Sequence, residues 1–217
     1  MRTEISRALG ARIPTARWLV SKAWTLCYPW IAPFVWNRKT PRTDARWGAG
    51  RDDYAVLADV FRELSVRSVL DLGCGSGRLF PLYAQHGIHA IGVDISGVAL
   101  ANARSRFPSV PTIRASLATL QWRSLPYVDL VVSNRVLQHL PRKYLNMVIT
   151  GITILADQVY INELSESDGR TETWSMVRHD YDRLFGAYGF VVKRTGRIGT
   201  HTWKLYQRVG VSLHKPR

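Results

Sequence analysis

Residues 69–77 read Val69-Leu70-Asp71-Leu72-Gly73-Cys74-Gly75-Ser76-Gly77, an apolar strand with one acid running into three glycines at alternate positions. Glycine lets the backbone approach a ligand closely, and a helix starting just beyond such a turn offers unpaired amide groups and a positive dipole end. A strand, a glycine turn and a helix in succession therefore predict a cofactor cradle. The spacing differs from the nicotinamide fingerprint G-x-G-x-x-G: the third glycine comes one residue early, and position 78 is Arg.

Outward from this turn the chain alternates helix and strand. The stretch DDYAVLADVFREL at 52–64 has helical period and an acidic start that suits the helix dipole. Strands are predicted at 67–72, 90–93, 112–114, 130–133 and 159–162, with helices at 78–86, 97–106, 143–155 and 178–188. Continuous apolar strands separated by helices of this length imply a largely parallel sheet covered on both faces. Strands at 191–194 and 202–208 are joined by a link too short for a helical crossover, so they are expected to pair as an antiparallel edge hairpin. The fold class is α/β, a Rossmann-like three-layer sandwich. No internal repeat appears, which removes solenoids and propellers.

The segment DLGCGSG resembles the first motif of the class I S-adenosylmethionine (SAM)-dependent methyltransferases, of the small-molecule type. Ile91-Gly92-Val93-Asp94-Ile95-Ser96 is similar to the second motif of that family. The resemblance runs over about 51–208 and implies SAM as cofactor. Asp71, Gly73, Gly75 and Gly77 would form the cradle, and Asp94, followed by Ile95, would bind the two ribose hydroxyls. After the third strand, Arg114-Ala115-Ser116-Leu117 lacks the family's usual acid; Ser116 is read as the polar contact to adenine and Leu117 as apolar packing. Asn134 falls where polar groups flank the sulfonium. His139 matches the family's recurrent Leu-x-His-Leu pattern, which implies an active-site base; a structural hydrogen bond at a helix start is the other reading. Glu163 ends the fifth strand and is read mainly as a solvated loop acid. Trp174, in the insertion 165–178, could reach back over the substrate. Arg51 and Tyr54 could border the methionine end of SAM.

Of 217 residues, 46 % are hydrophobic and 21 % charged, which excludes disordered, collagenous and polytopic membrane classes. Two cysteines and no clustered histidines predict no disulfide framework and no metal site, and point to a reducing, cytoplasmic setting. The formal charge of +14 is uneven. Residues 1–51 carry ten basic and two acidic side chains, 193–217 carry seven and none, and 52–192 are nearly neutral.

Three regions follow: a basic, aromatic segment at 1–50, the SAM-binding domain at 51–208 and a basic tail at 209–217. Between Trp18 and Trp36 the one charge is Lys22, but Pro29 and Pro33 are expected to break a helix there. A bilayer span is therefore not expected, nor is a cleaved leader. The first region reads as a helical cap on the sheet, or as a peripheral contact with the inner face of a membrane in which Arg12, Arg17, Arg38, Lys39 and Arg42 meet anionic lipid. An RNA contact is a third reading. The implied activity is methyl transfer from SAM to an oxygen or nitrogen of a small or lipid-linked molecule. RNA methylation, or a silent scaffold that retains the fold, are the rival functions.

Overall fold

The computed structural model describes residues 16–47, 52–164, 173 and 175–210. The expectations placed on Arg2, Arg7, Arg12, Arg51, Trp174 and the tail beyond 210 lie outside the described residues, as do those on the side chains of Arg17 and Arg42.

The chain opens with α1 (Ala16–Trp47), then α2 (Asp52–Leu64), β1 (Ser68–Leu72), α3 (Phe80–Gln85), β2 (His89–Asp94), α4 (Gly97–Arg106) and β3 (Thr112–Arg114). The second half adds β4 (Leu130–Asn134), α5 (Arg142–Thr153), β5 (Gln158–Glu163), α6 (Tyr181–Gly186), β6 (Phe190–Ile198) and β7 (His201–Arg208). The seven strands form one sheet in the order β3-β2-β1-β4-β5-β7-β6. The first five run parallel, while β7 pairs antiparallel with both β5 and β6. This is the expected Rossmann-like sandwich with its C-terminal hairpin. α3 and α6 are shorter than expected because the glycine turn holds the chain until residue 80 and because the Asp180 side chain accepts from Arg183 N, starting α6 at Tyr181.

Alternation along the strands builds two cores. Leu70, Leu72, Val131, Val159 and Ile161 face α1, α5 and α6. Val69, Leu130, Val132, Tyr160 and Leu205 face α2, α3 and α4. At the carboxyl edge of the sheet the same alternation sends Ser133 and Glu163 to the first face and Asn134 and Asn162 to the second.

α1 corrects one expectation. The break comes at one place only: two helical segments meet across a kink at Cys27, φ −109° and ψ 17°, two residues before Pro29, and the chain stays helical through Pro33. Pro29 has no N–H, and its ring crowds the Thr25 carbonyl one turn earlier, so the backbone relaxes between them. Packing holds the bent helix together. Trp24, Tyr28 and Ala32 repeat every four residues and are buried in the first core, with the Trp24 and Tyr28 rings edge to face at 5.0 Å. Trp24 Nε1 donates to the His139 carbonyl at 3.3 Å, and Thr40 Oγ1 lies 3.1 Å from Ser96 Oγ. The helix thus crosses the carboxyl edge of the sheet, from the segment after β4 to the start of α4.

Candidate active site

β1 enters the turn at Gly73, and Gly73 N and Cys74 N both donate to Val93 O, at 2.7 and 3.1 Å, tying the turn to β2. Gly73, Gly75 and Gly77 all have positive φ. At Gly73 a Cβ would lie 2.2 Å from a methyl of Val136, so the glycine lets the segment after β4 pack directly on the turn. At Gly75, with φ 57°, a Cβ would meet nothing within 4 Å. Gly75 opens onto free space; Gly73 faces protein.

Asp94 ends β2 beside that space. Its two carboxylate oxygens accept from Gly75 N at 2.9 Å and Ser96 N at 2.7 Å. Ser96 Oγ in turn caps α4 by accepting from Ala99 N and donates to Asn37 Oδ1 of α1 at 2.9 Å. Ile95 packs at the margin of the first core. Asp71 is buried, and its Oδ2 has no hydrogen-bond partner among the described residues. Burial pushes the Asp71 carboxyl up to about 7, against the opposing charge of Arg78.

Ser116 and Leu117 sit in the turn after β3, joined to β2 by Ala115 N donating to Asp94 O at 3.0 Å. Ser116 Oγ accepts from Ala118 N at 3.2 Å, so it caps this turn, and Leu117 is buried in the first core. Asn134 ends β4 and is half-buried; its Oδ1 lies 3.4 Å from Asn162 Nδ2, and its own Nδ2 has no hydrogen-bond partner among the described residues. Asn162 Nδ2 also donates to Asp53 Oδ1 at 2.7 Å, while Arg78 Nη1 donates to Asp53 Oδ2 at 2.7 Å. Tyr54 donates to the Arg78 carbonyl. The start of α2 is thus locked onto the residue that leaves the glycine turn.

Between Asn134 and α5 the chain makes a tight loop. Arg135 is held at φ 62°, a region that costs a residue with a side chain about 1 to 2 kcal/mol. Glu163 holds the loop there. Its Oε1 accepts from Ser133 Oγ at 2.6 Å, Val136 N at 2.8 Å and Leu137 N at 3.1 Å, and its Oε2 accepts from Gln138 N at 3.2 Å. Glu163 is therefore a buried clamp and not a solvated loop acid. Burial pushes its carboxyl up to about 7, against the four donors.

The clamped loop ends at His139. Its Nδ1 donates to the Ser175 carbonyl, which makes Nε2 the acceptor, with the Gln138 amide nitrogen a long 3.5 Å from it. The Trp36 ring of α1 meets the imidazole at 4.7 Å, edge to face. Burial pushes His139 down to about 4, further lowered by the charges of Lys39 and His201 and opposed by the Ser175 bond. The imidazole is neutral at pH 7, so it is a good hydrogen-bond acceptor and a weaker base than an exposed histidine.

A family model described as "Methyltransferase domain" matches residues 69–155, which hold the glycine turn, Asp94 and the clamped loop. Over these residues the chain is similar to a SAM-dependent methyltransferase domain. The chain is 40 % identical over 112 residues to a probable S-adenosylmethionine-dependent methyltransferase of Mycobacterium tuberculosis, across 52 % of this chain and 40 % of that protein. It is 36 % identical over 93 residues to a trans-aconitate 2-methyltransferase of Rhodopseudomonas palustris, across 41 % of this chain and 36 % of that protein. The matches span half or less of these relatives' length. A crystal structure of magnesium protoporphyrin IX methyltransferase from Synechocystis with bound S-adenosylhomocysteine superposes with a TM-score of 0.63 at 21 % identity, over 88 % of this chain and 99 % of that one; it shares the fold.

The site holds features that the sequence did not announce. Glu163 binds amides 25 to 27 residues earlier in the chain, a pairing with no local signal. Trp36, Asn37 and Thr40 reach the site from α1, where the sequence showed an aromatic run without showing its inner face. An acid ending a strand flanked by strands on both sides was the one available cue for Glu163. No group of three or more histidine, cysteine or acidic side chains among the described residues is placed to hold a metal.

Proposed function

We propose that this protein transfers a methyl group from SAM to an oxygen or nitrogen of a small or lipid-linked acceptor. The observation that carries the reading is the open cradle at Gly75, flanked by the Asp94 carboxylate and backed by the partnerless oxygen of buried Asp71. These residues suit SAM: Asp94 would take the ribose hydroxyls, Asp71 the ammonium, and Asn134 Nδ2 a polar atom near the methionine end, with Ser116 toward adenine. When bound, SAM supplies a methyl group already activated by its sulfonium, so the protein's share is orientation and exclusion of water.

His139 contributes an acceptor. Its Nε2 lone pair, fixed by the Ser175 bond and backed by Trp36, can hold an acceptor O–H or N–H in line and take its proton as the new bond forms. A base with pKa near 4 suits orientation more than proton storage. His139→Ala is expected to lower kcat by roughly 100-fold while leaving SAM affinity unchanged. The ratio of the wild-type rate to the His139→Ala rate is expected to show no inflection between about pH 6 and 8, where an exposed histidine would titrate. Unchanged kcat in folded His139→Ala would remove the residue from the mechanism.

The acceptor class follows the relatives' small-molecule substrates, and the trans-aconitate enzyme makes carboxylated metabolites the first panel to assay. RNA is less favoured, because three C-terminal cations are already engaged: Arg194 with Glu63 at 2.7 Å, Lys204 with Asp182 at 2.7 Å and Arg208 with Asp157 at 2.8 Å. A silent scaffold would bind no SAM in calorimetry. In this reading α1 acts as a cap over the cofactor side of the sheet. No helix among the described residues is long and apolar enough to cross a membrane. The cytoplasmic setting is part of the proposal.

A further inference from the structure

α1 carries two stripes, each repeating every four residues. The inner one, Trp24, Tyr28, Ala32, Trp36 and Thr40, packs on the domain. The outer one is Lys22, Leu26, Trp30, Phe34 and Arg38, and every member is exposed. The two registers differ by two residues, or about 200° around a helix, so they lie on opposite faces. Leu26, Trp30 and Phe34 are 61, 70 and 74 % exposed, three large apolar side chains in successive turns of the helix.

We propose that this outer stripe docks α1 lengthwise on an anionic lipid surface. The proposal goes beyond the methyl-transfer reading and does not rest on it. Charge decides the occupant. The apolar centre is closed at one end by Lys22 and at the other by Arg38, with exposed Lys143 alongside, its Nζ donating to the Leu26 carbonyl at 3.3 Å. Residues 5–43 contain seven Lys and Arg and no Asp or Glu. A second copy of the chain would be a poor cover: antiparallel pairing sets Lys22 against the other copy's Arg38, and parallel pairing sets each cation against itself. Spaced four apart, the five positions wind through about 160° of the helix, so a negatively charged bilayer takes the apolar centre while Lys22 and Arg38 reach its headgroups from the two margins. Trp and Phe suit the headgroup boundary, and cations at both ends add the second signal that stable peripheral binding requires.

The inner stripe of the same helix touches the His139 carbonyl through Trp24, the His139 ring through Trp36 and Ser96 through Thr40. A lipid surface under the outer stripe therefore lies about one helix diameter, roughly 10 Å, from the candidate site. An amphiphilic acceptor could reach it without leaving the interface.

The test uses the full chain and sedimentation with vesicles of equal phosphatidylglycerol and phosphatidylcholine, against vesicles of phosphatidylcholine alone. Binding is expected to the anionic vesicles and to weaken as salt rises. Trp30→Glu with Phe34→Glu is expected to weaken it by at least about tenfold, and Lys22→Glu with Arg38→Glu by about tenfold. Both variants should keep the wild-type unfolding temperature and SAM affinity; calorimetry with SAM reads the methyl-transfer proposal separately. Three results would overturn the docking proposal. These are no binding to anionic vesicles, binding that survives both variants, or a dimer in light scattering that Trp30→Glu with Phe34→Glu dissociates.

Discussion

Glu163→Ala is expected to lower the unfolding temperature by about 10 °C, and Glu163→Gln by less than half as much. The carboxylate is the shared acceptor for Ser133 Oγ and for the amides of Val136, Leu137 and Gln138. Alanine leaves those donors buried and unpaired, at a cost of about 3 to 5 kcal/mol, and a domain of this length shifts by about 2 to 4 °C per kcal/mol. Glutamine keeps one acceptor oxygen and turns an N–H toward one of the amides, a loss of about 1 to 2 kcal/mol. The pH dependence carries the same signature. With its folded-state carboxyl raised to about 7 from an ordinary value near 4, Glu163 contributes stability below about pH 4 that is lost as pH rises through 7. Asp71 acts in the same direction. Glu163→Gln should flatten this slope in thermal melts between pH 4 and 7. An alanine variant melting within about 2 °C of wild type would show that the loop holds its left-handed Arg135 without the clamp.

The sheet was legible because its central strands are buried on both faces and so read as unbroken apolar runs. The glycine turn was legible because Gly73 and Gly75 must take a positive φ, a demand few other residues meet. The interruption of α1 near Pro29 was legible because proline acts locally, whereas the stripe of Trp24, Tyr28 and Ala32 that packs both segments on the sheet is tertiary and was not. His139 was found by pattern, but its basicity was not. Burial beside Trp36 and the nearby charge of Lys39 lower it, and neither contact has a signature in the residues flanking position 139. The charge of +14 also changes meaning in three dimensions. The strands β6 and β7 spend much of theirs on Glu63, Asp182 and Asp157, while the N-terminal helix presents its cations at the ends of an apolar stripe.

Asp94→Ala is expected to weaken SAM binding by about 100-fold, the cost of about 3 kcal/mol for two charge-assisted hydrogen bonds to a ribose diol. The side chain does two jobs that must be separated. It accepts from Gly75 N and Ser96 N, fixing the turn, and it faces the open space above Gly75 where the sugar would lie. If the loss came from a disordered turn alone, every ligand of the cradle would weaken equally. If it comes from the diol, removing a hydroxyl from the ligand should mimic the mutation. A calorimetric cycle with S-adenosylhomocysteine and its 2′-deoxy analogue decides between them. Wild type should lose about tenfold on deoxygenation, and Asp94→Ala should lose almost nothing further. Asp94→Asn, which keeps one acceptor oxygen, should fall between the two. Equal deoxygenation penalties in wild type and Asp94→Ala would mean that the ribose lies elsewhere and that Asp94 serves only the turn.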